Sequence, residues 1–181
     1  LASVCPKCPI SPKKDVQFCV QYPFEYLSII KYGFKGYRVQ DKGKKILTLP
    51  SGPPNNHWTG NIILSEDKKK ILVAVGSGTN VNEGGTDDSS RAAIWEIELN
   101  GDGQRLFATG LRNPVGMAYE PMTKRLWATV NERDGLGETV PPDYLTEVVD
   151  GAFYGWPYTY FGTYPDPTQM RLNPEKTKKA L

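Results

Sequence analysis

Val115-Gly116-Met117-Ala118-Tyr119-Glu120-Pro121-Met122-Thr123-Lys124-Arg125-Leu126-Trp127-Ala128-Thr129-Val130 reads as two short β-rich runs joined by one polar turn. The same layout occurs earlier, from Ile63 to Val75, with Asp67-Lys68-Lys69-Lys70 in the place of Pro121-Met122-Thr123-Lys124. Met117 lies 54 residues after Ile63. Ile46-Leu47-Thr48-Leu49 and Leu106-Phe107-Ala108-Thr109 each end a strand that leads into a Gly-containing corner. A repeat of this length built from three or four short strands is the pattern of a β-propeller blade, with a β-sandwich of coincidental spacing as the other solution.

Further β-rich runs surround these two. They are Ser28-Ile29-Ile30-Lys31-Tyr32, Ala92-Ala93-Ile94-Trp95-Glu96-Ile97 and Arg105-Leu106-Phe107-Ala108, separated by turn clusters such as Asn100-Gly101-Asp102-Gly103. No window shows a helical period, so an all-β fold is expected. At this repeat length, 181 residues hold about three blades, and closed propellers have roughly four to eight. A partial β-propeller follows, one that needs remaining blades or another chain for closure. Three parts are expected: an irregular Cys/Pro-rich arm at 1–25, blades at 26–165, and at 166–181 a polar tail or the start of a further blade.

Composition removes several function classes. With 22 Lys+Arg against 20 Asp+Glu the formal charge is +2, which provides no basic field for nucleic acid. No apolar run approaches the ~20 residues of a membrane span. The chain begins at Leu1 with no charged-then-apolar leader, so a secretion signal is expected to be absent or already removed. Cys5 and Cys8 have the spacing of half a zinc site, but the remaining candidate ligands are Cys19 and the distant His57, so free thiols or a disulfide compete with that reading.

Chemistry concentrates in a few places. His57, the single histidine, sits between a Pro-Pro turn and a strand, where an imidazole serves either as a general base or as a hydrogen-bonded structural residue. Arg112 and Asn113 stand in a Gly/Pro-punctuated corner before a strand. The guanidinium suits a carboxylate or a developing oxyanion, or an inter-blade ion pair, and the amide suits a small-molecule ligand or the turn before Pro114. Gly76-Ser77-Gly78-Thr79-Asn80-Val81 begins like a dinucleotide loop but lacks the third glycine and a following helix. Glu83, Asp87 and Asp88 offer oxygen ligands for a hard cation or form a solvated acidic surface, and Asp134, Glu138 and Asp143 share a carbonyl-rich loop that suits calcium better than zinc, at a spacing that fits no EF-hand. No serine or cysteine has the partners that nucleophilic catalysis requires.

Asn55-Asn56-His57-Trp58-Thr59, Gly110-Leu111-Arg112-Asn113-Pro114-Val115-Gly116, Val130-Asn131-Glu132-Arg133-Asp134, Pro141-Pro142-Asp143-Tyr144-Leu145 and Phe153-Tyr154-Gly155-Trp156-Pro157 together resemble the glucose/sorbosone dehydrogenase family, and its L-sorbosone branch most closely. The resemblance covers about residues 28–165. It implies about three blades of a six-bladed propeller. It also implies oxidation of a sugar or sugar aldehyde with pyrroloquinoline quinone (PQQ) and calcium, and transfer of the electrons to an external acceptor. On that resemblance His57 matches the base, Arg112 the arginine that binds the cofactor and stabilises charge on it, Asn113 its neighbour, and Asn82 a further cofactor contact. Backbone carbonyls at Glu132 and Arg133 match calcium ligands, and Tyr154 and Asp143 fall where the family has a second, structural calcium. A periplasmic or secreted location is implied in the same way. Asn56 stands where the glucose branch has an aspartate, and Gly60 where the sorbosone branch has an arginine. Two other functions fit a propeller: a non-enzymatic module that binds a protein partner, and a calcium-dependent sugar lactonase.

Overall fold

The computed structural model describes residues 16–21, 27–35, 38–50, 57, 60–84 and 90–181. Three antiparallel sheets follow one another along the chain. In the first, β1 (Val16–Gln21) pairs with β2 (Leu27–Lys35), which also pairs with β3 (Arg38–Val39) and β4 (Lys44–Leu49). The second is a meander of β5 (Ile62–Leu64), β6 (Lys70–Val75), β7 (Ala93–Glu98) and β8 (Arg105–Thr109). The third is β9 (Asn113–Tyr119), β10 (Leu126–Asn131) and β11 (Tyr144–Glu147). A small hairpin, β12 (Thr159–Tyr160) and β13 (Tyr164–Pro165), precedes two short helices, α1 (Pro167–Leu172) and α2 (Pro174–Ala180).

The alternation of β6 explains why the sheets stack. Its side chains point to opposite faces in turn. Ile71, Val73 and Val75 join Phe18, Ile29, Leu47 and Leu49 of the first sheet, while Leu72 and Ala74 join Leu111, Met117, Leu126, Ala128 and Val130 toward the third. A strand apolar on both faces is stable only between two other sheets, and burying each large aliphatic side chain here is worth about 1.5–3 kcal/mol. The result is the blade-on-blade stacking of a partial β-propeller with three blades.

The repeat is present in the coordinates. Leu64 opposes Ile71 in one hairpin and Tyr119 opposes Leu126 in the other, an offset of 55 residues against the 54 of the sequence alignment. Both connections are closed by the same bond, Ser65 N–H to the Lys70 carbonyl and Glu120 N–H to the Arg125 carbonyl, each 2.9 Å.

After β11 the chain turns back and runs beside β8. Gly151 donates to the Phe107 carbonyl, Thr109 to that of Ala152, Tyr154 to that of Thr109 and Trp156 to that of Gly110, at 2.7–3.1 Å. This return fastens the third blade to the second and brings the Gly155-Trp156-Pro157 corner to the functional end. Gly110 and Gly155 are required there. Both have positive φ (73° and 108°), and a Cβ would meet the Phe153 ring at Gly110 and the Thr159 side chain at Gly155.

Two boundaries differ from the sequence expectation. Residues 16–21 of the expected arm are strand β1, an integral edge of the first blade. Residues 167–180, expected as a polar tail or a further blade, form the two helices, with Asp166, Gln169 and Thr177 buried. Helices of six and seven residues are too short to leave a periodic signal, but their starts were legible. Asp166-Pro167 and Asn173-Pro174 each put an Asx residue before a proline at the first helical position. Among the described residues no helix is long and apolar enough to cross a membrane.

Candidate functional site

The strand ends at one edge of the blades gather His57, the β6–β7 loop, the Gly110–Asn113 corner and the β10–β11 loop. Backbone bonds fix their mutual positions. Ser77 N–H donates to the Arg112 carbonyl at 2.8 Å, and Leu111 N–H to the Ala92 carbonyl at 3.0 Å. Leu111, fully buried between the second and third blades, anchors the corner that carries Arg112 and Asn113.

His57 Nδ1 lies 2.9 Å from both the Ser77 carbonyl and the Ser77 Oγ. The hydroxyl directs its proton to the Thr79 carbonyl at 2.7 Å. A carbonyl can only accept, so Nδ1 carries the hydrogen in the neutral ring and Nε2 is the basic nitrogen. Arg91, itself buried, fixes that carbonyl by donating Nη2 to the Ser77 oxygen (3.2 Å) and Nε to that of Gly76 (3.0 Å). Burial lowers the His57 pKa below 6.5, the Arg112 and Arg91 charges lower it further, and the bond to Ser77 and the Asp134 charge act in opposition. The ring is therefore neutral, and basic at Nε2, at physiological pH.

Arg112 is the cross-link of the site. Its Nε donates to the Asn80 carbonyl (2.9 Å), its Nη2 to Asn80 Oδ1 (2.7 Å), and its Nη1 to the carbonyls of Glu132 and Asn131. The exposed Asp134 carboxylate stands 3.7 Å from Nη2. Asn80 is the hub between loops: its amide also accepts from Asp134 N–H and donates to the Asp134 carbonyl, and its own carbonyl accepts Trp156 Nε1 at 3.1 Å. Glu132 is buried beside this network, and desolvation pushes its carboxyl up to about 7 although Arg133 N–H and Arg112 favour the charged form.

The structure brings together some of the expected residues and separates others. His57, Arg112, Asn113, Glu132, Arg133 and Asp143 share one end of the blades. Asn113 is buried and opposes Asn131 across a β-bulge, and Asp143 accepts from Asn131 Nδ2 and from Glu132 N–H. Asn82, on the β6–β7 loop, lines a cavity with Arg91, Gly110, Leu106 and Trp156. Tyr154 is not beside Asp143. Its hydroxyl donates to the Glu147 carbonyl and accepts from Val149 N–H, at the opposite end of β11. Glu83 accepts from Val81 N–H in its own loop. Asn56, Asp87, Asp88, Cys5 and Cys8 lie outside the described residues.

Sequence reasoning passed over Ser77, Asn80, Arg91, Asp166 and Gln169. Asp166 caps α1 and makes a buried 2.7 Å ion pair with Arg133, and Gln169 reaches the Val81 carbonyl. Ser77 and Asn80 sat in the glycine-rich loop set aside as a failed dinucleotide motif. What that loop does is wrap its polar atoms around an arginine 32 residues away, a relation that no local pattern carries.

Comparison with known proteins settles the family. The glucose/sorbosone dehydrogenase family model matches residues 35–180. The chain belongs to that family. Among solved structures of similar fold, the PQQ-bound aldose sugar dehydrogenase of Streptomyces coelicolor is 18% identical with a TM-score of 0.65, over 86% of this chain and 48% of that one. The apo soluble aldose sugar dehydrogenase of Escherichia coli is 18% identical with a TM-score of 0.58, over 84% and 48%. An uncharacterized protein of Borreliella burgdorferi is 28% identical over 113 residues, 62% of this chain and 29% of that protein. The chain thus spans about half the length of these solved structures and less than a third of that relative.

Within this glucose/sorbosone dehydrogenase family chain, the residues present can be weighed against the groups the family implies. Arg91 and Arg112, both buried, place fixed positive charge near His57, which fits the carboxylates of PQQ. Calcium fits less well. The Glu132 carbonyl already accepts a guanidinium N–H, a cation where a dication would bind, and among the described residues no group of three or more His, Cys, Asp or Glu is placed to hold a metal.

Proposed function

We propose that this chain is part of a PQQ-dependent sugar or sugar-aldehyde dehydrogenase, with His57 as the base that accepts the substrate hydroxyl proton. One observation supports this best: in a chain of this family, His57 Nδ1 is committed to the Ser77 carbonyl, which leaves Nε2 unprotonated beside two buried arginines. When bound, PQQ would supply the two-electron oxidising power that no side chain has. Arg91 holds the Ser77 carbonyl and so fixes the tautomer of His57. Arg112 supplies positive charge near the carbonyl-rich β10–β11 loop, and Asn113 lies next to it in the same corner. We assign no step to calcium, because the Glu132 carbonyl already accepts from the cationic Arg112 guanidinium. The external electron acceptor and a periplasmic or secreted location belong to the same reading, which rests there on family membership.

The test is a PQQ titration followed by tryptophan fluorescence, run with calcium and then with chelator. Saturable quenching is expected in the wild type and, weakened, in Arg112→Lys, which keeps the charge where Arg112→Ala would leave three buried acceptors unpaired. Quenching that calcium strengthens would mean that a cation site forms beside Arg112. Sugar oxidation with an artificial acceptor should lose about 10²–10⁴-fold in His57→Gln. In the wild type its acid limb should have a midpoint below 6.5, because His57 must be unprotonated to accept. Absence of quenching in a folded chain would overturn the reading.

A further inference from the structure

One edge of the third blade has no strand beside it among the described residues. In the second blade β7 lies between β6 and β8, whereas β11, the strand in the same place of the third, pairs with β10 alone. Val148 N–H donates to the Leu126 carbonyl on the β10 side. Backbone groups of successive strand residues point to opposite sides. Tyr144 and Thr146 therefore also face β10, and Leu145, Glu147 and Val149 face away from it. The Tyr154 hydroxyl obeys the same parity: it donates to the Glu147 carbonyl at 2.7 Å and accepts from Val149 N–H at 2.9 Å. Among the described residues, the N–H and C=O of Leu145 and the N–H of Glu147 are left without a partner.

A cavity of about 400 Å³ lies along these groups, lined by Tyr144, Leu145 and Thr146. Side chains of consecutive strand residues alternate between the faces of a sheet, so one cavity reaches all three only along the strand's edge. Phe153 and Phe161, each about half exposed, line it as well, and no charged side chain does. None of His57, Ser77, Asn80, Arg91 or Arg112 borders it.

The chemistry selects the occupant. Open donors and an acceptor at strand spacing are the template for another strand's backbone, and uncharged aromatic walls favour apolar side chains on it. The second blade shows the form that such pairing takes: β8 runs antiparallel along β7 with Leu106, Phe107 and Ala108 at its centre. We infer that the free edge of β11 is a docking site for an extended, apolar strand of another polypeptide, which adds antiparallel to β11 as β8 adds to β7. About three residues of the added strand pair, because the Tyr154 hydroxyl closes the ladder at the Glu147 carbonyl. The site does not depend on the chemistry proposed for His57.

The experiment titrates the ¹⁵N-labelled chain with a capped peptide of the β8 sequence, Arg-Leu-Phe-Ala-Thr, and reads amide shifts and hydrogen exchange. Saturable shifts are expected at the Leu145 and Glu147 amides, with both exchanging more slowly at saturation. The same peptide N-methylated at every amide keeps its side chains and loses its donors, and it should not bind. Leu145→Pro removes an N–H that β10 does not use, a change that edge strands tolerate. It should weaken the peptide about 10-fold or more, since one net hydrogen bond is lost and the ring obstructs the ladder; a thermal melt checks that the variant is folded. No saturable shift, equal affinity for the N-methylated peptide, or shifts that spare Leu145 and Glu147 would overturn the site. Slow exchange of those two amides without peptide would mean that the edge is already covered, and overturns it as well.

Discussion

The middle and third blades carry the same hairpin yet use it differently. In β6 every residue from Ile71 to Val75 is buried, because a sheet packs on each face. In β10 only alternate residues, Leu126, Ala128 and Val130, enter the core, while Thr129 is exposed and Leu145, its cross-strand partner on β11, is 63% exposed. The difference lies in the neighbours, since both runs are equally β-rich in sequence. A blade's second face becomes core only when another sheet is laid on it, which is why an all-apolar strand and an alternating one can belong to the same repeat.

The largest expected effect tests the buried member. Ile71→Ala should destabilise by about 2–5 kcal/mol in a denaturant melt, because the cavity lies between two rigid sheets and cannot collapse. Equal stability of that variant and the wild type would mean that the first and second blades are not packed as described. Next, at the loop end, Asn80→Ala should cost about 2–3 kcal/mol, since it removes the acceptor of Arg112 Nη2 and of Asp134 N–H and leaves a buried guanidinium short of a partner. A double variant with Asp134→Ala should be less than additive if the two act through one network.

A smaller effect separates the third blade's loop from the middle blade's. The folded Glu132 carboxyl is raised to about 7 from 4.5, so between those values the native state holds a proton that the unfolded chain has lost. Stability should therefore fall as pH rises through that window. Glu132→Gln should remove this slope and gain roughly 1–2 kcal/mol over the wild type at pH 8, as read from Tm against pH. The smallest effect falls on the open face: Leu145→Ser should change stability by no more than about 0.5 kcal/mol in this chain. A large loss there would mean that the face is covered in solution.

Much of the fold was legible because it rests on local signals. The runs at 28–32, 46–49, 71–75, 93–97 and 115–130 announced themselves by β-branched and aromatic content between Gly, Pro, Asn and Asp turns, and the repeat followed from their spacing. β1, β3, β11, β12 and β13 were not read as strands. They are edge or hairpin pieces with mixed polarity, and their pairing is decided by the sheet they join. At the site, His57 and Arg112 stood out by chemistry. Their partners did not, because Ser77, Asn80 and Arg91 act through backbone carbonyls and are identified only when distant loops meet. Asn82, matched to a cofactor contact on the family resemblance, is buried on the β6–β7 loop in a left-handed backbone that sequence spacing cannot reveal.

The late arrival of two side chains has a consequence for how the protein is made. The Asn80 carbonyl receives its indole N–H from Trp156, and the Val81 carbonyl its amide N–H from Gln169, 76 and 88 residues downstream. Synthesis is vectorial and domains fold N-terminal first, so the first two blades can collapse on the ribosome while this loop still lacks both clamps. The loop that carries Ser77 and Asn80 is thus completed only after the helix bearing Gln169 has cleared the exit tunnel. A nascent chain halted before that point would have a formed hydrophobic core but an unfinished centre, open to proteolytic nicking at the segment on which the chemistry depends.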